Sequence, residues 1–116
     1  MYSTKFAING KTFSGLVAET SEEQELGLMY KKPPAPTMLF LYFKPRDVSF
    51  WMKNTPAKLD IVFCKDGKVI DIKVGEPMST TLIKPNSAVD LVIEFNYGIV
   101  STFGFKIGDS VIVGNK

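Results

Sequence analysis

The chain has no histidine. Histidine is the commonest general base near neutral pH and the commonest metal ligand. Its absence removes nucleophile–histidine triads and the usual cysteine/histidine zinc sites. Cysteine is almost absent as well. Cys64 stands alone, so it closes no internal disulfide, and its place beside Phe63 in an apolar run reads as a small buried hydrophobe. A G-x-G-x-x-G or P-loop is also missing, which leaves nucleotide cofactors without a cradle. The expectation is no cofactor and no metal.

Long apolar runs are missing too. Met38–Phe43 falls far short of the ~20 residues that span a bilayer. The opening MYSTKFAING alternates and lacks the basic and apolar regions of an export signal. No membrane association is expected, and the protein is placed in the cytoplasm or within a particle or assembly. Nor is there an excess of one charge. Fourteen basic and twelve acidic residues give a formal charge of +2, and the basic ones are scattered. The electrostatic footprint of a nucleic-acid binder is therefore lacking, and no nucleic-acid partner is expected.

What is present is enough for one core. A chain of 116 residues is read as a single domain, 1–116, able to bury roughly two-thirds of its unfolded surface without metals or disulfides. The 45% hydrophobic content and nine phenylalanines exclude disorder.

Two tight turns set the local structure. Asn9-Gly10 joins strands Tyr2–Ile8 and Lys11–Val17, because a type I′ turn needs positive φ at both central residues. That register sets Phe6 opposite Phe13 and Tyr2 opposite Val17. Asp66-Gly67 closes a second hairpin, expected to pair Phe63 with Ile70, Ile61 with Ile72 and Leu59 with Val74 on one apolar face. Its other face would pair Asp60 with Lys73, Val62 with Asp71 and Cys64 with Val69. Between the hairpins, Thr20 and Glu23 form a capping box. The following helix should bury Leu26, Met29 and Tyr30, carry Lys31 and Lys32 at its end, and stop at Pro33-Pro34. The unalternating run Met38–Phe43 reads as a central strand covered on both faces.

Downstream, 75–87 is a polar connection whose Thr80, Thr81 and Lys84 can meet an anion or a sugar, or simply cross the surface. Val89, Leu91, Ile93 and Phe95 alternate as a half-buried strand. Asn96 is placed as the cap of a helix Tyr97–Phe103, ended by Gly104. Val111–Val113 is the last strand. The fold class that follows is α+β and β-rich: a compact antiparallel or mixed sheet, or a barrel-like domain, with two short helices.

The densest polar cluster lies in VSFWMKNTPAKLD at 48–60. As a strand, this stretch turns Val48, Phe50 and Met52 to the core. Trp51 and Lys53 then project the other way, towards the Asn54-Thr55-Pro56 bend. Trp51, Lys53, Asn54, Thr55 and Asp60 form the candidate ligand-binding set: an aromatic face, a cation, an amide, a hydroxyl and a carboxylate. The alternative is packing and turn chemistry, with Lys53 paired to Asp60 or Asp71. Asp60 with a second carboxylate (Asp71, Asp90 or Glu94) would permit glycosidase-like acid/base work.

The run FWMKNTPAKLDIVF at 50–63 resembles the signature of the bacterial and archaeal family called domain of unknown function 192. EEQELGLMY at 22–30, MLFLYF at 38–43 and FKIGDSVIV at 105–113 are similar to its other blocks, in order. The resemblance implies a compact β-rich α+β domain and carries no established activity. Many relatives have an export signal, a cysteine in the loop after the hairpin, and a proline just before the Leu-Asp pair. Here 75–86 holds no cysteine, Pro56 comes earlier and Lys58 takes the proline's place.

The functional expectation is a non-catalytic binding or assembly module. It would dock on a protein partner or on itself through sheet edges and the Trp51–Asp60 face, as part of a larger particle or complex. The alternatives are a small-molecule or saccharide binder with a small polar ligand, or a carboxylate-dependent hydrolase using Asp60.

Overall fold

The computed structural model describes residues 1–114. Seven strands make one curled, mixed sheet. They are β1 (Tyr2–Ile8), β2 (Lys11–Ala18), β3 (Met38–Arg46), β4 (Leu59–Lys65), β5 (Lys68–Gly75), β6 (Val89–Asn96) and β7 (Val111–Val113), with α1 (Ser21–Leu26) and α2 (Ile99–Phe103) between them. The order across the sheet is β5-β4-β6-β3-β2-β1-β7. Among the described residues only β2 and β3 run parallel, joined by the crossover through α1. The two edges meet at one end: Lys68 bridges Ser110, and Val69 N–H donates to the Asp109 carbonyl at 2.9 Å.

The first hairpin has the expected register. Phe6 lies opposite Phe13 and Tyr2 opposite Val17, with Asn9 and Gly10 both at positive φ, and the two rings stack at 5.4 Å. The second hairpin keeps its turn but loses its register after two rungs, Lys65 with Lys68 and Cys64 with Val69. Cys64 pairs with Val69, then a bulge at Ile70 brings Asp71 opposite Phe63, Ile72 opposite Val62 and Val74 opposite Asp60. Ile70 and Ile72 therefore serve opposite faces of the sheet. The bulge lets Ile72 pack into the inner core while the Asp71 carboxylate accepts the Asn86 N–H at 2.9 Å.

Curling gives two cores. The inner one draws on all seven strands, from Phe6 and Val17 to Cys64, Val69, Ile93, Phe95 and Val111, and α2 packs on it through Ile99 and Val100. The outer core lies on β3, β4 and β6, with Met38, Phe40, Leu59, Ile61, Phe63 and Val92 covered by Leu28 and by Phe50 and Met52 of the 48–57 segment. Strand β6 is thus buried on both faces rather than one. β3 is central as expected, but only its first half is covered: Phe43 is fully exposed.

Two further expectations are corrected. The capping box forms, yet α1 ends at Leu26, because Gly27 leaves the helical region at φ 51 and turns the chain inward. Leu28 is buried in consequence, while Leu26 and Tyr30 are exposed. Asn96 does not cap α2. Its side chain closes a reciprocal pair with the Ala35 backbone at 2.9 and 2.7 Å, and α2 begins after a left-handed Gly98.

Candidate functional site

Residues 48–52 form no sheet strand and lead into a turn at 53–54. Phe50 pairs with Ile83 through hydrogen bonds of 2.9 and 2.7 Å, and Met52 N–H donates to the Ser79 carbonyl. The 79–83 loop is therefore the partner of this segment. Phe50 and Met52 turn inward, leaving Trp51 on the other side, 42% exposed. Lys53 Nζ lies 5.1 Å from the Trp51 ring centre on the outer surface.

Asn54 and Thr55 hold the turn. Thr55 N–H donates to the Met52 carbonyl, and Asn54, at φ 55, takes the left-handed position. The Asn54 amide donates to the Tyr30 hydroxyl at 2.9 Å, and Tyr30 N–H returns a bond to the Asn54 carbonyl. Asp60 is elsewhere. It shares the inner face with its cross-strand partner Phe95, and its Oδ2 accepts N–H groups from Gly98 and Val100 at 2.9 and 3.0 Å. Asp60 thus satisfies the start of α2. The structure gathers Trp51, Lys53, Asn54 and Thr55 around one bend and sets Asp60 on the opposite face of the sheet.

A cavity of about 400 Å³ lies against the bend. Trp51 and Thr55 line it, whereas Lys53, Asn54 and Asp60 do not. Phe40 and Tyr42 come from β3 and Phe50 from the bend, with Phe40 and Phe50 edge-to-face at 5.1 Å. Gln24, Glu25 and Met29 form the α1 side; Arg46, Asp47 and Ser49 form the rim. The Arg46 guanidinium stacks over the Tyr42 ring at 4.9 Å.

Glu94 of β6 also lines this cavity. It pairs across the sheet with Met38 on one side and Ile61 on the other, so its carboxyl emerges among core side chains. Four carboxylates are buried among the described residues: Asp60, Asp71, Glu94 and Asp109. Asp60 holds the start of α2, Asp71 binds the Ile72 and Asn86 N–H groups, and Asp109 binds the Lys106 backbone and ammonium. Glu94, only 5% exposed, makes no hydrogen bond or ion pair with any described residue. Burial pushes its carboxyl up to about 8. Tyr42 is pushed up to about 12, by burial first, with Glu94 adding and Arg46 opposing.

Sequence reasoning named Glu94 only as one of three second carboxylates for Asp60. Its signal was there to be read: in VDLVIEF, Val92 shares Glu94's side of the strand, and an apolar residue on the supposedly wet face marks a strand covered on both sides.

The curled mixed sheet defines a small β-rich single domain, and sequence comparison supplies the family. The DUF192 family pattern, described as an uncharacterized ACR, matches residues 4–113. The chain belongs to that family. A crystal structure from Sinorhizobium meliloti 1021, provisionally described as a transcription regulator, superposes with a TM-score of 0.87 at 31% identity, covering 97% of this chain and 94% of that one. A protein of unknown function from Novosphingobium aromaticivorans DSM 12444 superposes with a TM-score of 0.84 at 33% identity, covering 95% and 82%. None of the curated proteins matches.

Proposed function

We propose that this chain is a non-catalytic binding protein for a small molecule, received in the pocket between the Trp51 bend, α1 and β3. The carrying observation is Glu94, a carboxyl buried in a central strand, without a partner among the described residues, facing a cavity of about 400 Å³. Its oxygens open onto the cavity instead of being sealed in the core, and desolvation there still disfavours the charged form. Fold stability alone favours an aliphatic residue there, so a bound ligand supplies the reason to keep it. The volume falls in the range of small-molecule sites, and aromatic walls with few polar groups are their usual lining.

Two observations favour this reading over its competitors. Asp60 and Glu94 lie on opposite faces of the sheet, so they do not flank one scissile bond as a glycosidase pair does. The sheet edges that would serve assembly are partly occupied within the chain, since β5 bridges the β7 segment and Asn86 bonds the Ile70 carbonyl. The regulator label of the Sinorhizobium protein fits a ligand sensor better than a groove reader here. The described helices have six and five residues, about 9 Å at most, which is short for a major-groove recognition helix.

Trp51 is the chain's single tryptophan and lines the pocket, so its emission reports the site without labelling. A fragment screen read by Trp51 fluorescence should give saturable shifts that Glu94→Leu reduces while the variant stays folded. Saturable ligands that bind Glu94→Leu as tightly as the parent would overturn the proposal, and so would a broad screen that never moves the signal.

A further inference from the structure

We propose that the pocket takes an organic ammonium, a small ligand whose protonated amine sits against the Glu94 carboxylate while its apolar body lies among Phe40, Phe50 and Trp51. This rests on the pocket being the binding site proposed above, and adds the chemistry of what enters it.

The charges around the cavity set the sign. Glu94, Glu25 and Asp47 line it as carboxyls, against the single guanidinium of Arg46. Arg46 lies over the Tyr42 ring and forms no ion pair with Glu94. The remaining elements offer Glu94 no cation. It pairs with Ile61 of β4 and Met38 of β3, and the cavity around it is also lined by Phe40 and Tyr42 of β3, Phe50 and Thr55 of the bend, and Gln24 and Glu25 of α1. With Glu94 protonated, Glu25 and Asp47 still outnumber Arg46 by one charge at the lining, which disfavours an anionic ligand. The walls favour a cation, because aromatic rings attract positive charge through their faces. Two of the lining rings each carry a cation over the ring, Arg46 over Tyr42 at 4.9 Å and Lys53 over Trp51 at 5.1 Å.

Binding must then move a proton. Burial holds the Glu94 carboxyl up at about 8, so near neutral pH the free pocket carries it protonated. An ammonium against it favours the carboxylate. The complex forms as a carboxyl and an ammonium give a carboxylate–ammonium pair plus one proton released to solvent. Affinity should tighten about tenfold per pH unit below that value, level off above it, and fall again once the free amine itself loses its proton.

The test uses benzylammonium and its neutral counterpart benzyl alcohol, titrated calorimetrically into the whole chain at pH 7 in two buffers of different ionisation enthalpy. Benzylammonium is expected to bind with release of nearly one proton, and benzyl alcohol at least about tenfold more weakly with none. Glu94→Gln should abolish both the proton release and the preference. The parent calorimetry decides the matter even if that variant folds poorly. Equal binding of the two probes without proton release overturns the ammonium while leaving a small-molecule pocket standing. Failure of both probes also overturns it, and the pocket itself falls only if the Trp51 fragment screen is silent as well.

Discussion

At the scale of single residues, similar side chains have been given different work by their surroundings. Asp60 and Glu94 are both carboxylates on neighbouring central strands, and both are buried. Asp60 accepts two backbone N–H groups and starts α2; Glu94 accepts none among the described residues. Asp60→Ala strands two donors in a closed environment and should cost about 1–3 kcal/mol. Asp60→Asn keeps an acceptor oxygen and should cost less than half of that. Chemical denaturation checks both, and a fully stable Asp60→Ala protein would contradict the capping role. The sequence showed Asp60 as a polar residue beside a turn motif. It could not show that Asp60 faces inward, because the partner groups, Gly98 and Val100, lie 38 and 40 residues further along. That Trp51 turns away from the core was legible, because its neighbours in the chain, Phe50 and Met52, are so clearly core.

At the scale of elements, hairpin turns were the most legible features, since positive φ at Asn9-Gly10 and Asp66-Gly67 is a local demand that local residues meet. What lay beyond them was set by packing. The bulge at Ile70 is invisible in an unbroken alternation, because it exists to serve Asn86 and the inner core from outside the hairpin. Likewise α1 stops where Gly27 lets Leu28 reach the outer core. The bend and the hairpin meet at Gly75, the last residue of β5. A Cβ built there would land on the Met52 sulfur, and Met52 is buried as part of the pocket wall. Gly75→Ala should cost about 1–3 kcal/mol through overpacking and shift Trp51 emission. An unchanged spectrum and midpoint would show that Met52 yields freely and that the bend is not fixed by this contact.

At the scale of the whole molecule, the curl of the sheet explains why there are two cores and one pocket. The inner core closes on itself through all seven strands, whereas the outer core is roofed by loops and a six-residue helix that leave the cavity between them. A charge placed under that roof has a global consequence. Burial pushes the Glu94 carboxyl from its ordinary 4.5 up to about 8 in the folded chain, so between these values the unfolded chain has lost a proton that the native chain retains. Stability therefore falls as pH rises through this window, by about 1.4 kcal/mol per unit, and levels off above it. The central claim is that Glu94 is a largely buried carboxyl that opens onto the cavity, without a hydrogen bond to any described residue, and that this cavity is the proposed ligand pocket. Its most direct test is a ¹³C NMR titration of the Glu94 carboxyl in the ligand-free protein. A midpoint near 8 is the predicted result; a midpoint near 4.5 would mean a hydrated or paired carboxylate, and would contradict the account.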